Sequence, residues 1–97
     1  MTTEAPDASA RVTIVNRKGL HARASAKVAK LAAEYDAKVI VRHEGEMADA
    51  RSIMDLLMLV AHMGCEIELT GSGPQANEAV EAITALVADG FGERDGG

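Results

Sequence analysis

Strand-like and helical patterns alternate along this 97-residue chain, and their order restricts the folds that it can adopt. Alternating, β-branched residues predict strands at RVTIVNR (11–17), AKVIVRH (37–43) and CEIELTG (65–71). A short further strand is expected near Met47 and Ala48, after an acidic turn. With the helical segments included, the order is βαββαβα. We therefore predict an α+β open-faced sandwich, a four-stranded antiparallel sheet covered on one face by three helices.

The three helices are indicated by apolar residues at helical spacing. Alanines recur every three or four residues between Ala22 and Tyr35, and such small side chains allow close packing on a sheet. The second helix is expected over SIMDLLMLVAHMG (52–64), and the third opens at Gly73 with Pro74 as its first helical residue. The residues expected to face the core are Ile53, Leu56, Leu57 and Val60 in the second helix, and Ala76, Ala79, Val80, Ile83, Leu86 and Val87 in the third.

The composition is that of a small globular protein. Hydrophobic residues make up 47% of the chain and charged residues 26%, which argues against disorder. Tyr35 and Phe91 are the only aromatic residues, so we expect an aliphatic core. Residues 1–10 have neither a basic start nor an apolar run, which argues against a signal peptide, and no stretch is long enough to span a bilayer. We expect a cytoplasmic protein with flexible segments 1–10 and 91–97 around a domain of residues 11–90.

Charge is distributed unevenly along the sequence. The net charge of −5 argues against broad nucleic-acid binding, which depends on neutralising phosphates. Between Ala8 and Ala33 there are six basic residues and no acid, whereas Ser52 to Glu93 holds seven acids and no lysine or arginine. This asymmetry indicates a site for an anion or an acidic partner.

The stretch GLHARASA (19–26) brings basic charge to the start of the first helix. Its first turn holds Arg23 and no acid, and Glu34 and Asp36 are expected at the end of the same helix, so both ends oppose the helix dipole. His21 stands at the strand-to-helix junction, where free backbone N–H groups bind anions. Histidine is nucleophilic near pH 7 and accepts phosphoryl groups, and arginine donates to them in a fork. A simple capping or solvated histidine is the alternative, because one reversed charge costs only about 0.3–1 kcal/mol.

These residues also carry a resemblance to a known family. KGLHARASA (18–26), followed by ARSIMDLLMLVAHMGCEIELTGSGPQANEAVEAI (50–83), resembles HPr, the histidine-containing phosphocarrier of the phosphoenolpyruvate-dependent phosphotransferase system. The resemblance covers residues 11–88, nearly the whole ordered part of the chain. The open-faced sandwich of that family agrees with the order of strands and helices predicted above.

The resemblance implies a phosphoryl-group carrier rather than a stand-alone enzyme. In this interpretation His21 takes a phosphoryl group on Nδ1 from phosphorylated Enzyme I and passes it to an Enzyme IIA-type acceptor, while Arg23 helps to hold and release the group. No cofactor is implied, because the donor supplies the activated phosphoryl group. The chain departs from the family at Ala24, where proline is usual, and alanine returns a backbone N–H to the first turn. The branch of the system, sugar or nitrogen-related, stays open.

Ser52 has two compatible interpretations. With Asp55 three residues later, it has the spacing of a capping box at a helix start. By resemblance, it matches a serine that an ATP-dependent HPr kinase phosphorylates in some bacteria. A rival function therefore stays open, a non-carrier regulatory module of the same fold that is switched through Ser52 while His21 is idle. Replacing His21 by Ala separates the two, because a carrier then loses all function and a regulatory module loses little.

Partner contacts are expected on the second helix and on the basic face of the first. The resemblance implies that partners bind the second helix, where Met54 lies off the buried stripe and suits an adaptable apolar surface. Leu57 is a further candidate, although its spacing favours the core. Lys27 and Lys30 share a helical face with Arg23 and suit an acidic partner, although solvated surface lysines have the same spacing. We expect a monomer with a small, transient interface.

The remaining histidines and the cysteine do not indicate a metal site. His43, His62 and Cys65 match no zinc spacing and are one ligand short of a closed tetrahedral site. The two histidines are expected to be surface or capping residues. Cys65 is expected to be a small buried hydrophobic residue.

Overall fold

The predicted open-faced sandwich is confirmed by the computed structural model, which describes residues 6–93. The strands are β1 (Ala8–Thr13), β2 (Lys38–His43), β3 (Glu46–Asp49) and β4 (Glu66–Ser72). The helices are α1 (Ala22–Ala32), α2 (Ile53–Met58) and α3 (Ala76–Ala88), followed by a 3-10 turn at Gly90–Gly92. The strands form one sheet in the order β1-β4-β2-β3, and all neighbouring pairs are antiparallel. Within residues 6–93, none of the helices is long and apolar enough to cross a membrane.

The core lies between the helices and one face of the sheet. Alternate residues of β4 are buried, and Leu69 of this strand is paired with Val41 of β2. Val28 of α1 and Ile83 of α3 belong to the same aliphatic core, and the fully buried ring of Phe91 completes it. Burying one such side chain stabilises the fold by about 1.5–3 kcal/mol. These contacts therefore fix the helices, and the loops between them, on the sheet.

Strand β1 is displaced toward the N-terminus relative to the predicted span 11–17. Its first residue, Ala8, pairs with Gly71 of β4. At the other end the strand stops at Thr13, although burial still alternates through Asn16. The Asn16 side-chain amide donates to the Gly19 carbonyl at 2.9 Å and closes a turn. A polar residue that is able to form such a turn competes with the extended backbone.

Helix α2 is shorter than the predicted span 52–64, because it ends after six residues. Val60 lies just beyond it with a left-handed backbone (φ 50°), which cannot continue the helix. Leu59 and Ala61 are consequently buried, whereas Val60 is 73% exposed and Ile53 is 41% exposed. The prediction that Ile53 and Val60 face the core is therefore wrong. Ile53 is the first residue of α2, and Val60 lies beyond its end, where helical periodicity no longer applies.

Helix α3 begins at Ala76, with Gln75 as its N-terminal cap residue. Pro74 therefore precedes the helix, and the prediction that it is the first helical residue is wrong. The reason is a pair of hydrogen bonds that holds the turn in place. The Gln75 side-chain oxygen accepts from the Asp36 backbone N–H at 2.7 Å, and the Gln75 N–H donates to the Asp36 carbonyl at 3.0 Å.

Both ends of the chain are structured further than the predicted flexible segments 1–10 and 91–97. Strand β1 includes the last three residues of the first segment. In the second segment, Phe91 is fully buried because its ring fills the core next to α3. Residues 1–5 and 94–97 lie outside the described part of the chain, so the prediction stays untested there.

Candidate functional site

His21 is the N-terminal cap residue of α1. Its backbone is extended (φ −79°, ψ −176°), and its Nδ1 accepts a hydrogen bond from the Arg23 backbone N–H at 3.3 Å. The first i→i−4 bond of the helix runs from the Ser25 N–H to the His21 carbonyl at 2.8 Å. The N–H groups before Ser25 therefore precede the hydrogen-bond ladder of the helix. Such groups make a helix start attractive to anions, and Nδ1 of His21 faces them.

A glycine turn places the His21 loop against the segment that follows α2. Gly19 has a positive φ of 64°, and a Cβ at this position would lie 2.6 Å from the Ala61 carbonyl oxygen and 2.6 Å from the Cα of His62. Only glycine fits this close approach. The next residue, Leu20, is 6% exposed, and its N–H donates to the Ala61 carbonyl at 2.9 Å. The loop is therefore fixed, while the His21 side chain stays 24% exposed.

Glu93 is the side-chain partner of His21, and no sequence motif indicated it. Its Oε2 lies 2.5 Å from Nε2 of His21, and its Oε1 accepts from the Asn16 side-chain amide at 3.0 Å. The same amide nitrogen donates to the Gly19 carbonyl. Asn16 is 7% exposed, and the Glu93 side chain is 9% exposed. A nearly buried hydrogen-bonded chain therefore links the turn before α1 to the imidazole.

The two contacts of the imidazole agree on one tautomer. Nδ1 of His21 accepts from the Arg23 N–H, so this nitrogen carries no proton. Nε2 then carries the ring proton and donates it to the Glu93 carboxylate. A neutral imidazole has one donor and one acceptor nitrogen, and these partners use both of them. The lone pair of Nδ1 is consequently directed at the start of α1.

Opposing effects act on the carboxyl group of Glu93. Burial is the largest of them and raises its pKa, but the hydrogen bonds from His21 and Asn16 lower it, and the charges of His21 and Lys18 lower it further. The net result is a pKa below the ordinary value for glutamate. The group is therefore an anion near neutral pH, which is the form that accepts hydrogen bonds from both neighbours.

Three consecutive left-handed residues carry the chain to Glu93. Gly90, Phe91 and Gly92 have φ values of 66°, 60° and 75°. This conformation is unfavourable for phenylalanine, and the complete burial of its ring offsets the cost. The Lys27 ammonium donates to the Phe91 carbonyl at 2.6 Å and fastens the turn to α1. Lys27, which the sequence suggested as a partner contact, therefore has a hydrogen-bond partner within the chain.

The charge pattern of α1 agrees with the prediction at its start and differs at its end. Arg23 is exposed in a first turn that holds no acid. The helix ends at Ala32, however, so Glu34 and Asp36 lie beyond it, and Lys30 is the basic residue of its last turn. A lysine at this end suits the helix dipole. The expectation of two reversed ends is therefore wrong for the C-terminal end, and Arg23 alone carries the argument for an anion.

Ala24 occupies the position where the resemblance leads one to expect proline. It lies in the first turn of α1 and is fully buried. Its N–H comes before the Ser25 N–H, which makes the first bond of the helical ladder. Proline at this position would therefore remove only a donor that the ladder does not use.

Exposed apolar side chains surround α2, which packs beside α1. Met54 is 69% exposed and Met58 is 73% exposed, so the expected exposure of Met54 is confirmed. Leu57 is half-buried. The exposed large hydrophobic residues of this region, which we call the α2 apolar surface, are Ile53, Met54, Met58, Val60 and Met63.

Ser52 caps α2, as its spacing predicted. Its Oγ accepts from the Asp55 backbone N–H at 3.1 Å. The Asp55 carboxylate does not complete the box, because it accepts from the Asp49 N–H at 3.3 Å, while the Ser52 N–H donates to the Asp49 carbonyl at 2.9 Å. Only half of the predicted capping box is therefore formed, and two aspartates flank the serine.

The residues considered for a metal site are placed apart in two groups. His43 is 8% exposed, and its Nδ1 lies 3.0 Å from the Leu59 carbonyl at the end of α2, so it is a buried capping residue rather than a surface one. His62 is exposed, and its Nδ1 lies 3.7 Å from the sulfur of Cys65. Cys65 is half-buried just before β4, not fully buried as predicted, because the loop holding it runs along the surface. Within residues 6–93, no group of three or more potential ligands is arranged to hold a metal ion.

Comparison with known proteins identifies the class of protein that this fold and this histidine define. A family model described as "PTS HPr component phosphorylation site" matches residues 8–89. Because the match covers most of the chain, the protein belongs to the HPr family of the phosphotransferase system.

Individual relatives include phosphocarriers with two different names. Phosphocarrier protein HPr of Cupriavidus necator is 46% identical over 81 residues, which cover 84% of this chain and 91% of the relative. Phosphocarrier protein NPr of Escherichia coli K12 is 43% identical over 83 residues, which cover 84% and 92%. The crystal structure of HPr from Bacillus anthracis superimposes with a TM-score of 0.79 at 32% identity and covers 82% of this chain and 95% of that one. The chain is thus a phosphocarrier of the HPr and NPr type.

Proposed function

We propose that this chain carries a phosphoryl group on Nδ1 of His21, from phosphorylated Enzyme I to an Enzyme IIA-type acceptor. The observation that supports this proposal most directly is the environment of Nδ1. Nδ1 accepts a hydrogen bond from the Arg23 backbone N–H at 3.3 Å, so it carries no proton, and the His21 side chain is 24% exposed. The carrier needs no cofactor, because phosphorylated Enzyme I supplies an activated phosphoryl group.

Transfer to His21 is a substitution at phosphorus. The lone pair of Nδ1 forms the new N–P bond, and the bond from phosphorus to the donor breaks with its electron pair remaining on the donor. The phosphoryl group brings on the order of two negative charges. These charges meet the free N–H groups and the positive dipole end of α1. Arg23 is exposed in the same turn, and its guanidinium donates to the phosphoryl oxygens in a fork.

Both partners are proposed to dock on the α2 apolar surface and the basic residues beside it. Met54 and the half-buried Leu57 offer apolar contacts, and flexible methionine side chains adapt to more than one partner. Lys27 and Lys30 are exposed and attract acidic partners through their charge, although the Lys27 ammonium is bound to the Phe91 carbonyl. Two partners that share one surface need a small and transient interface. We propose that the carrier acts as a monomer in the cytoplasm.

The test is incubation of the protein with Enzyme I and phosphoenolpyruvate, followed by intact-mass measurement. We expect one added phosphoryl group that is lost in acid. This group should be absent in His21→Ala and present in His62→Ala, the matched change of an exposed histidine on a neighbouring loop. The absence of any adduct with both sugar-type and nitrogen-type Enzyme I contradicts the proposal.

Regulation through Ser52 is proposed as an addition to the carrier function. A crystal structure of Crh, described as a catabolite repression containing protein of Bacillus subtilis, is similar to this chain, with a TM-score of 0.70 at 28% identity over 93% of this chain and 97% of that one. We propose that an ATP-dependent HPr kinase phosphorylates Ser52. The new phosphate replaces the cap acceptor of α2 and stands beside Asp49 and Asp55, whose charges oppose it.

The kinase and ATP should therefore add one acid-stable phosphoryl group that Ser52→Ala lacks. The absence of this group in the wild type would contradict the proposed phosphorylation of Ser52. If His21→Ala keeps full function in cells, the chain acts as a regulatory module instead of a carrier.

A further inference from the structure

We infer that Glu93 is a positioning residue for His21, which keeps the ring proton on Nε2 so that Nδ1 is free to accept the phosphoryl group. This inference rests on the proposed function. Glu93 itself does not touch the phosphoryl group, because it contacts the imidazole from the opposite ring nitrogen.

The orientation of the carboxylate is fixed by Asn16. The two hydrogens of the Asn16 amide go to the Gly19 carbonyl and to Oε1 of Glu93, which are both acceptors. Rotating the amide would place its oxygen against two oxygens, so its orientation has no alternative. Within residues 6–93, Oδ1 of Asn16 finds no hydrogen-bond partner. A buried acceptor is thus left unpaired in order to direct the amide at Glu93, a cost that is typical of functional sites.

The carboxylate also stabilises the product of the transfer step. When Nδ1 forms its bond to phosphorus and the donor bond breaks, the imidazole gains one positive charge and the Nε2 proton stays in place. Glu93 then faces a cation at 2.5 Å in a site where its own side chain is 9% exposed. The attraction between these charges is stronger there than in open water. When the acceptor takes the group, the N–P electron pair returns to Nδ1 and the ring becomes neutral.

Glu93→Gln tests the inference because the structure dictates how the new amide must turn. Its oxygen has to accept from Asn16, as Oε1 does now, which leaves its NH2 group facing Nε2 of His21. An NH2 donor requires Nε2 to be unprotonated and so moves the ring proton to Nδ1. The variant is nearly identical in shape to the wild type but favours the tautomer that cannot attack phosphorus. Glu93→Ala provides neither a donor nor a fixed acceptor at Nε2. Its population of the Nε2-protonated tautomer should therefore lie between those of the wild type and Glu93→Gln.

The first measurement is the 15N chemical shifts of the two imidazole nitrogens of the neutral His21 ring. We expect the Nε2-protonated form in the wild type and in Glu81→Gln, which removes the same charge from an exposed site on α3. Glu93→Gln should show the Nδ1-protonated form. Unchanged shifts in this variant would overturn the inference, whatever the outcome of any transfer experiment.

The second measurement is the rate of phosphoryl transfer from Enzyme I. A wrong histidine tautomer lowers the turnover of serine proteases by on the order of 10⁴, and we expect a loss of about tenfold or more here, with Glu81→Gln unaffected. A tautomer change without a change of rate also overturns the inference. If the wild type itself accepts no phosphoryl group, the proposed function fails, while the tautomer measurement still reports on the contact between Glu93 and His21.

Discussion

Replacing Val60 by glycine should stabilise the protein, although it removes a hydrophobic side chain. Val60 has a left-handed backbone (φ 50°). This conformation costs an L-residue roughly 1–2 kcal/mol, and β-branched residues are the least suited to it. Its side chain is 73% exposed, so its removal loses little packing. Glycine adopts this backbone without strain, but it adds about 0.4–1 kcal/mol of conformational freedom to the unfolded chain.

The difference between these two effects sets the expected magnitude. We expect Val60→Gly to raise the free energy of unfolding by about 0.8 kcal/mol, the difference between the midpoints of strain relief and added chain entropy. For a domain of this size, such a change corresponds to a rise in Tm of roughly 3–6 °C. Urea unfolding followed by circular dichroism measures the change directly, provided that the m-value is unchanged.

Two control variants separate the backbone effect from the loss of the side chain. Val60→Ala also removes apolar surface but keeps the Cβ that causes the strain, so it should not stabilise the protein. Val15→Gly removes another exposed valine, 53% exposed, at a position outside the left-handed region, and it should destabilise. If Val60→Gly and Val15→Gly are destabilised equally, or if Val60→Ala gains as much as Val60→Gly, the reasoning is wrong.

Three further predictions concern the elements that hold the site. Gly19→Ala places a Cβ 2.6 Å from the Ala61 carbonyl oxygen and should lower the free energy of unfolding, measured by thermal unfolding, by more than about 2 kcal/mol. The control Gly45→Ala, also at positive φ but with no atom within 4 Å of the new Cβ, should lower it by only about 1–2 kcal/mol. Phe91→Ala should cost about 3–5 kcal/mol in urea unfolding, because its ring is fully buried, and a loss below 1 kcal/mol would contradict this packing. The carboxyl group of Glu93 has a pKa below the usual 4.5 in the folded state, so its ionisation contributes stability above about pH 4.5 that is lost as the pH falls through the lowered value. The difference in unfolding free energy between the wild type and Glu93→Gln should therefore shrink below pH 4.5, and a constant difference would contradict the lowered pKa.

The parts of the fold that could be predicted from the sequence are those that depend on neighbouring residues. The order of strands and helices follows from local periodicity, and the cap at Ser52 follows from a hydroxyl three residues before Asp55. The position of His21 at the helix start follows from the same kind of local information, whereas its role as the phosphoryl acceptor was implied by the resemblance to HPr. The end of α2 was misplaced because apolar spacing continues past Val60, and nothing in that spacing indicates a left-handed residue.

The partner of His21 could not be predicted from spacing, because Glu93 is 72 residues away in the sequence. Its position depends on the turn at Gly90–Gly92 and on the burial of Phe91, which are both results of tertiary packing. A signal was nevertheless present in the sequence. Phe91 is one of two aromatic residues in the chain and stands between two glycines, so a purely flexible segment does not account for it.

With Glu93 in its inferred role, the turn at Gly90–Gly92 would couple the reactivity of His21 to any local opening of this turn. Local segments of a protein open at a lower free-energy cost than global unfolding. Detachment of this turn would break the Lys27 bond to the Phe91 carbonyl and remove Glu93 from Nε2 of His21. Each change of about 1.4 kcal/mol in the opening free energy alters the fraction of molecules without the carboxylate by a factor of ten. Substitutions in this turn, far from His21 in the sequence, can therefore tune the carrier without changing a residue that contacts phosphate.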